Sequence, residues 1–155
     1  MATAFTADPG RPGARFYIGV YRASPQARVN MIRRGVLARE AKRIIGDLHF
    51  DQQALLGALN LKTATINRKA ARGEALSADE SERVLGIASL VGQVQAIVEE
   101  SGDPDGFDAA MWLSAWLVEP LAALGGERPL ALLDTMAGQA LVAATLAKAQ
   151  SGAFA

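Results

Sequence analysis

Cysteine is absent from this chain of 155 residues, and His49 is its single histidine. Disulfide bonds and thiolate metal sites are therefore excluded, and one histidine cannot form a histidine metal cluster. A serine–histidine–aspartate arrangement would have to use His49, whose leucine and phenylalanine neighbours are more typical of a packing or surface histidine. We predict no catalytic residue, no metal and no cofactor, and interpret the protein as a non-enzyme.

Long apolar runs are missing as well. No stretch approaches the roughly 20 residues that a membrane-spanning helix needs, and the first 15 residues lack the apolar segment of a signal peptide. The G-x-x-x-x-G-K-[ST] phosphate-binding pattern is absent. Asp103, Asp105 and Asp108 do not follow the calcium-loop pattern, so helix capping is the better interpretation for them. We expect a cytoplasmic protein without a membrane partner.

The charges that are present are divided unevenly along the chain. Residues 1–73 carry 13 lysines and arginines against four acidic residues, a net charge of +9, and residues 74–155 carry −9. Halves of opposite sign indicate different partners. The basic half suits a polyanion, because lysine and arginine displace counterions from phosphate. Two solvated faces of an ordinary protein remain the alternative.

Apolar residues recur at helical spacing along most of the chain, which predicts an all-α fold. The aromatic and β-branched residues of Arg15–Arg22 favour a short extended segment instead. Ser24 followed by Pro25 is typical of a helix start. We expect that helix to continue to Gly46, with a weak point at Gly35.

The second half of the sequence predicts three further helices. Ser77 and Glu80 form a capping-box pattern that begins a long helix ending near Glu100. Its broad apolar surface indicates burial on more than one side, either in a core or in a dimer. Pro104 is expected to open the next helix, and Thr135 to cap the last, which is expected to end at Gly152.

Asp51 is typical of a helix N-cap. Residues 52–71, which follow it, have the spacing of a helix-turn-helix, with Asn60 at the tight turn and Ile66 on the inward side of the second helix. Asparagine can bond adenine, arginine can bond guanine, and threonine and lysine suit phosphates or base edges. A helical hairpin with a solvated basic face is the alternative. The candidate DNA-binding residues are Lys62, Thr63, Thr65, Asn67, Arg68, Lys69 and Arg72.

Two stretches resemble antitoxins of the Xre/MbcA/ParS family. Leu76–Arg83, LSADESER, is similar to the family's LSxxESxR helix start. Pro120–Gly138, PLAALGGERPLALLDTMAG, resembles its toxin-binding signature of a proline, Leu-Gly-Gly, a second proline, Leu-Leu-Asp-Thr and glycine. The ending Ser151–Ala155 is similar to the family's glycine-and-phenylalanine end. With the helix-turn-helix, the resemblance covers residues 50–155.

The sequence departs from the family pattern at two positions. Glu119 stands where the family commonly has asparagine, and Ser151 where a histidine is frequent. Residues 1–49 carry no motif that matches.

The resemblance implies a partner encoded in the same operon, a RES-domain toxin that consumes NAD. It also implies a homodimer that represses its own promoter, with a C-terminal domain that covers the active-site cleft of the toxin. The alternative for the same residues is a helix–loop–helix corner and its core. The implied toxin-binding residues are Glu119, Pro120, Leu121, Leu124, Gly125, Gly126, Glu127, Arg128, Pro129, Leu130 and Phe154.

On this interpretation the chain has three parts: an N-terminal tail (1–23), a helix-turn-helix and dimerisation region (24–100), and a C-terminal toxin-binding domain (101–155). Two other functions remain open, a stand-alone repressor with a helical dimerisation domain and a toxin neutraliser that no longer binds DNA. A small-molecule pocket near Trp112 and Trp116 would favour the repressor, although core packing is the preferred interpretation of these two residues.

Overall fold

The computed structural model describes residues 13–150, and these form eight α-helices and two short 3-10 helices without a β-strand. The predicted all-α fold is confirmed. The α-helices are α1 (Ala14–Arg22), α2 (Pro25–Arg34), α3 (Ala38–Asp47), α4 (Gln52–Ala58), α5 (Thr63–Ala71), α6 (Ala78–Ser101), α7 (Ala109–Leu117) and α8 (Met136–Gln150), and the 3-10 helices Ala122–Leu124 and Pro129–Leu132 lie between α7 and α8.

The long helix α6 is the centre of the fold. Five other helices, α1, α2, α3, α7 and α8, pack against it. The predicted capping box at its start is confirmed: the Ser77 hydroxyl accepts from the Glu80 backbone N–H at 3.2 Å, and the Glu80 carboxylate accepts from the Ser77 N–H at 2.9 Å. Helices of the same chain cover the broad apolar surface of α6, so this surface does not indicate a dimer.

The extended segment expected at Arg15–Arg22 is wrong, because these residues belong to α1, which lies along α6. Gly92 permits this close approach, since a side chain there would collide with the carbonyl of Tyr17. The Tyr17 hydroxyl also donates to Asp47 of α3 at 2.6 Å. Packing of an amphipathic face therefore overrides the strand preference of aromatic and β-branched residues. The part assigned to a tail, 1–23, thus includes a packed helix.

The single helix expected from Pro25 to Gly46 is wrong as well, because the chain turns at Gly35. Gly35 has φ of 82°, a conformation that favours glycine, and it ends α2. After the turn, Leu37 pairs with Ala75 in an isolated β-bridge before α3 begins. The expected single helix is therefore divided into α2 and α3, because Gly35 adopts a positive φ and Leu37 pairs with a distant part of the backbone.

Pro104 does not open α7, contrary to expectation. The segment Asp103–Gly106 forms a turn in which the Asp103 carboxylate accepts from the Asp105 N–H at 2.9 Å, and aspartate, proline and glycine are typical of such turns. Asp108 is the N-cap of α7 and accepts from the Met111 N–H at 3.0 Å. Helix capping by this acidic segment is therefore confirmed at Asp108.

Other local predictions are confirmed. Asp51 caps α4 by accepting from the Ala54 N–H at 3.1 Å, and Asn60 has φ of 56° at the following turn. The hydroxyl of Thr135 accepts from the Gly138 N–H at 2.9 Å, which places it at the start of α8. The helix end predicted at Gly152 lies outside the described residues.

A buried glutamine joins α8 to α6. Gln139 is 4% exposed, and its side-chain nitrogen donates to the carbonyls of Leu133 and Arg83 at 3.0 and 3.1 Å. The Arg83 side chain in turn donates to the carbonyl of Leu59, beside the helix-turn-helix turn, at 2.8 Å. Helices α3 to α8 contribute to one continuous hydrophobic core.

No single helix among residues 13–150 is long and apolar enough to cross a membrane. The segments Ala109–Leu117 and Ala122–Leu132 reach that length and hydropathy only together, and they are bent by 59° relative to each other.

Candidate functional site

Helices α4 and α5 form the predicted helix-turn-helix. Five side chains seal the hairpin against the core, Leu55, Leu56, Leu59, Leu61 and Ile66. Among the candidate DNA-binding residues, those that are exposed are Lys62, Asn67, Arg68 and Arg72. Those that are half-buried are Thr63, Thr65 and Lys69. The helix therefore presents an amide and two guanidinium groups to solvent, which are groups suited to base edges and phosphates.

Asn67 has a partner that the sequence analysis missed. The side-chain nitrogen of Gln52, at the start of α4, donates to the side-chain oxygen of Asn67 at 3.3 Å. This bond leaves the Asn67 nitrogen and one oxygen lone pair available, which are the two groups that bidentate contact with adenine requires. Gln52 thus orients the amide rather than competing for both of its ends.

Lys69 is engaged within the protein. Its ammonium donates to the Glu80 carboxylate at 2.9 Å, and the two side chains are 20% and 17% exposed. Burial alone would raise the pKa of Glu80, but hydrogen bonds from Lys69 and Ser77 outweigh burial and lower that pKa. The pair connects the end of α5 to the start of α6, which favours an internal role for Lys69.

Two arginines of α3 extend the basic surface and were not among the candidate residues. Arg39 and Arg43 are both exposed and lie four residues apart on one face of the helix. The Arg39 guanidinium lies beside Gly73, where an added Cβ atom would be 3.1 Å from its nitrogen. Arg39 therefore stands next to the C-terminal end of α5, close to Arg72. Helical periodicity alone could have placed Arg39 and Arg43 on one face, but not beside α5.

The candidate toxin-binding residues form a compact loop between α7 and α8. Backbone hydrogen bonds close it, from Gly126 to the Leu121 carbonyl at 2.9 Å and from Leu121 to the Glu127 carbonyl at 3.1 Å. The exposed members are Glu119, Pro120, Gly125, Gly126, Glu127 and Arg128. The half-buried members are Leu121, Leu124 and Leu130, whereas Pro129 is buried and Phe154 lies outside the described residues.

The two consecutive glycines bend the backbone of this loop. Gly125 has φ of 66° and Gly126 has φ of 86°, and neither has a neighbour that an added side chain would meet. Backbone conformation, rather than space, is therefore the reason for glycine at both positions. The bend exposes the segment Gly125–Arg128 at the tip of the loop.

An open groove of about 410 Å³ separates this loop from the helix-turn-helix. Small residues of α4 form one wall, and Leu130 and Ala131 form the other. Arg128 and Asp134 supply charges of opposite sign to the lining. The loop thus lies next to α4.

The two tryptophans of α7 have different surroundings. Their rings stack with centroids 6.2 Å apart and planes inclined by 15°. Trp116 is 9% exposed, which confirms core packing for this residue, whereas Trp112 is 40% exposed. The backbone N–H of His49 donates to Ser114 of the same helix at 2.9 Å. Residues 13–150 contain no group of three histidine, cysteine, aspartate or glutamate side chains that could hold a metal ion.

Two family models match this chain, and together they span both surfaces. Residues 27–89 match the antitoxin Xre-like helix-turn-helix domain, which here contains α5 and its exposed basic groups. Residues 95–152 match the antitoxin Xre/MbcA/ParS C-terminal toxin-binding domain, which includes α7, the glycine loop and α8. Fold and surfaces thus define an antitoxin with a helix-turn-helix and a toxin-binding domain.

A curated relative supports the same assignment. The chain is 59% identical over 139 residues to the Prs ADP-ribosylating antitoxin of Sphingobium sp. (strain YBL2), and the match covers 90% of this chain and 87% of the relative. The chain belongs to the Xre/MbcA/ParS antitoxin family. The resemblance predicted from the LSxxESxR and Leu-Gly-Gly stretches is confirmed.

Proposed function

We propose that this antitoxin neutralises a RES-domain toxin that degrades NAD and is encoded beside it, and that it represses its own operon as a homodimer. The observation that carries the proposal is the presence, in one chain, of an exposed basic α5 and a separate acidic part that matches a toxin-binding domain. On this proposal the chain itself performs no catalytic step.

The charge of the C-terminal part supports a nucleotide-binding partner. Residues 101–135 contain six acidic residues and a single basic one, Arg128. A toxin that binds NAD needs cationic groups for the pyrophosphate, and complementary potentials accelerate and orient association. The name of the Sphingobium relative refers to ADP-ribosylation, a reaction in which NAD is the donor, and this also favours a partner that consumes NAD.

The surface of α5 supports operator binding. Asn67 and Arg68 are exposed, and Gln52 orients the Asn67 amide for contact with a base edge. Arg39 and Arg72 lie at the C-terminal end of α5, Arg43 lies on the same face of α3 as Arg39, and all three are exposed and suit the phosphate backbone. A two-fold dimer would prefer inverted half-sites about 34 Å apart. Because α6 is covered within the protomer, such a dimer would form through another surface.

In the first experiment, the chain is co-expressed with the protein encoded by the adjacent gene, called here the neighbour-encoded protein, and growth and cellular NAD are followed. We expect the intact antitoxin to restore both. A variant with Glu119→Lys and Glu127→Lys, which replaces two exposed acidic side chains, should restore them poorly. A variant with Asn67→Ala and Arg68→Ala should neutralise the toxin normally but lose binding to its promoter DNA, as measured by fluorescence anisotropy.

Two results would contradict the proposal. A neighbour that is harmless when expressed alone would remove the toxin and leave the stand-alone repressor as the better interpretation. Loss of neutralisation in the Asn67→Ala and Arg68→Ala variant, with the fold intact by circular dichroism, would contradict the division of function between the two surfaces.

A further inference from the structure

The outward face of α7 is apolar although it is exposed. Met111 is 51% exposed, Trp112 is 40% exposed and Val118 is 38% exposed, and Ala115 lies between them on the same side. Positions 111, 112, 115 and 118 follow helical spacing and define one continuous stripe, called here the α7 stripe. The inward face is occupied by buried residues of the core, Leu113, Trp116 and Leu117.

Such a stripe differs from the scattered apolar residues of an ordinary surface. Single exposed apolar side chains are common and need no explanation, whereas a contiguous patch with a polar rim marks an interaction site. Trp112 is also held in place, because its ring stacks on that of the buried Trp116. An aromatic side chain that is ordered before binding loses little conformational entropy when a partner covers it.

Acidic side chains stand at both ends of the α7 stripe. Asp103, Asp105 and Asp108 precede the helix, Glu119 directly follows Val118 at the end of the stripe, and all four acidic residues are exposed. The Nε2 atom of His49 lies 3.9 Å from the Asp108 carboxylate at this rim. The stripe therefore suits a partner with an apolar recess surrounded by lysine and arginine.

We propose that the α7 stripe is a docking surface for the toxin, with Met111 and Trp112 as its anchors. The inference rests on the proposed function and extends the toxin contact beyond residues 119–133. Continuity supports it, because Val118 leads directly into Glu119 and Pro120, and the whole stripe lies within the matched toxin-binding domain.

A second copy of this chain fits the α7 stripe less well. A two-fold contact across α7 would place Asp108 against Asp108 if the helices run parallel, and against Glu119 if they run antiparallel. Like charges facing each other in an interface are unfavourable. A toxin with a cationic nucleotide site has the complementary charge.

The test compares two substitutions of the same kind on different helices. Met111→Lys places a cation on the α7 stripe, and Val29→Lys places one on α2, where Val29 is 41% exposed and lies outside the matched toxin-binding domain. The dissociation constant for the purified neighbour-encoded protein is measured by isothermal titration calorimetry without NAD. We expect Met111→Lys to weaken binding about tenfold or more, as loss of an interface anchor does. Val29→Lys should change it by less than about threefold, which is typical of a residue outside the interface.

A second stripe variant and two physical measurements keep the result interpretable. Val118→Lys, at the C-terminal end of α7, should also weaken toxin binding. A cation is compatible with the helix there, because the C-terminal end of a helix carries a partial negative charge. Circular dichroism verifies the fold of each variant, and light scattering gives its mass. Unchanged toxin affinity in both stripe variants would overturn the inference, as would a lower mass with unchanged affinity, which indicates self-association through α7. If the unaltered antitoxin does not bind its neighbour at all, the proposed function itself fails.

Discussion

Two basic side chains of α5, Lys69 and Arg72, have different surroundings. The Lys69 ammonium is held by the Glu80 carboxylate at 2.9 Å, within a cap that also includes Ser77. Arg72 is exposed at the C-terminal end of the helix, beside Arg39 and Gly73. At the scale of single residues, therefore, one cation stabilises the fold and the other is available to phosphate.

This contrast predicts different results for Lys69→Met and Arg72→Met. Lys69→Met should lower the free energy of unfolding by about 1–2 kcal/mol, because it leaves the partly buried Glu80 without its cation. Arg72→Met should leave stability nearly unchanged but reduce by about one the slope of log affinity for DNA against log salt concentration. Urea denaturation and DNA titrations at several salt concentrations measure both quantities. The interpretation is wrong if Lys69→Met reduces the salt slope as much as Arg72→Met does.

At the scale of elements, the contact between α1 and α6 depends on a missing side chain. Gly92 lies in the middle of α6, where the Tyr17 backbone and the Tyr21 side chain of α1 approach it closely. Gly19 lies in the middle of α1 and has open space around it. The two glycines therefore provide a matched pair, one required by packing and one not.

Gly92→Ala should destabilise the protein by about 1–3 kcal/mol, because the added methyl group displaces α1 from the core. Gly19→Ala should stabilise it by about 0.5–1 kcal/mol, because alanine has the higher helix propensity and meets no neighbour. Thermal unfolding followed by circular dichroism gives both changes. Equal effects of the two substitutions would show that α1 does not pack on α6 as described.

Elements with local signals could be predicted from the sequence, and elements that depend on distant contacts could not. The caps at Asp51, Ser77 and Thr135 were found because the donor and acceptor lie within three residues of each other. Helix α1 was missed because its partner, Gly92, is about 70 residues away. Pro104 was misjudged because a turn around it competes with a helix start.

The same division applies to the candidate surfaces. Helical spacing correctly predicted that Asn67, Arg68 and Arg72 are exposed. It could not show that Gln52 bonds Asn67 or that Lys69 bonds Glu80, since both bonds join different helices. The glycine bend was predictable from Leu-Gly-Gly, but the apolar outward face of α7 was not, because core and surface residues are equally apolar there.

At the scale of the whole molecule, the two matched domains share a single core. Leu113 and Leu117 of α7 and Val142 and Leu146 of α8 belong to the same buried cluster as the helix-turn-helix residues. Removal of α7 and α8 would therefore uncover the face of α6 that they protect. For this reason point substitutions are better tests of each surface than truncation of the chain.

This shared core predicts that the antitoxin unfolds in one transition. Both tryptophans of the chain lie in α7, so tryptophan fluorescence reports on the C-terminal part, whereas far-ultraviolet circular dichroism reports on all helices. The urea midpoints from the two methods should coincide. A fluorescence midpoint clearly below the dichroism midpoint would show that the toxin-binding domain unfolds independently.

The bonds of Gln139 and Arg83 have a consequence for how an operator complex would be organised. Arg83 bonds the turn that precedes α5, and Gln139 bonds both Arg83 and the end of the glycine loop segment at Leu133. A toxin bound to this antitoxin would therefore have a fixed angular position around the axis of the DNA. Antitoxins spaced by a full helical turn would then display their toxins on the same side of the duplex, and those spaced by half a turn on opposite sides, so that promoter spacing alone would decide whether neighbouring toxins meet.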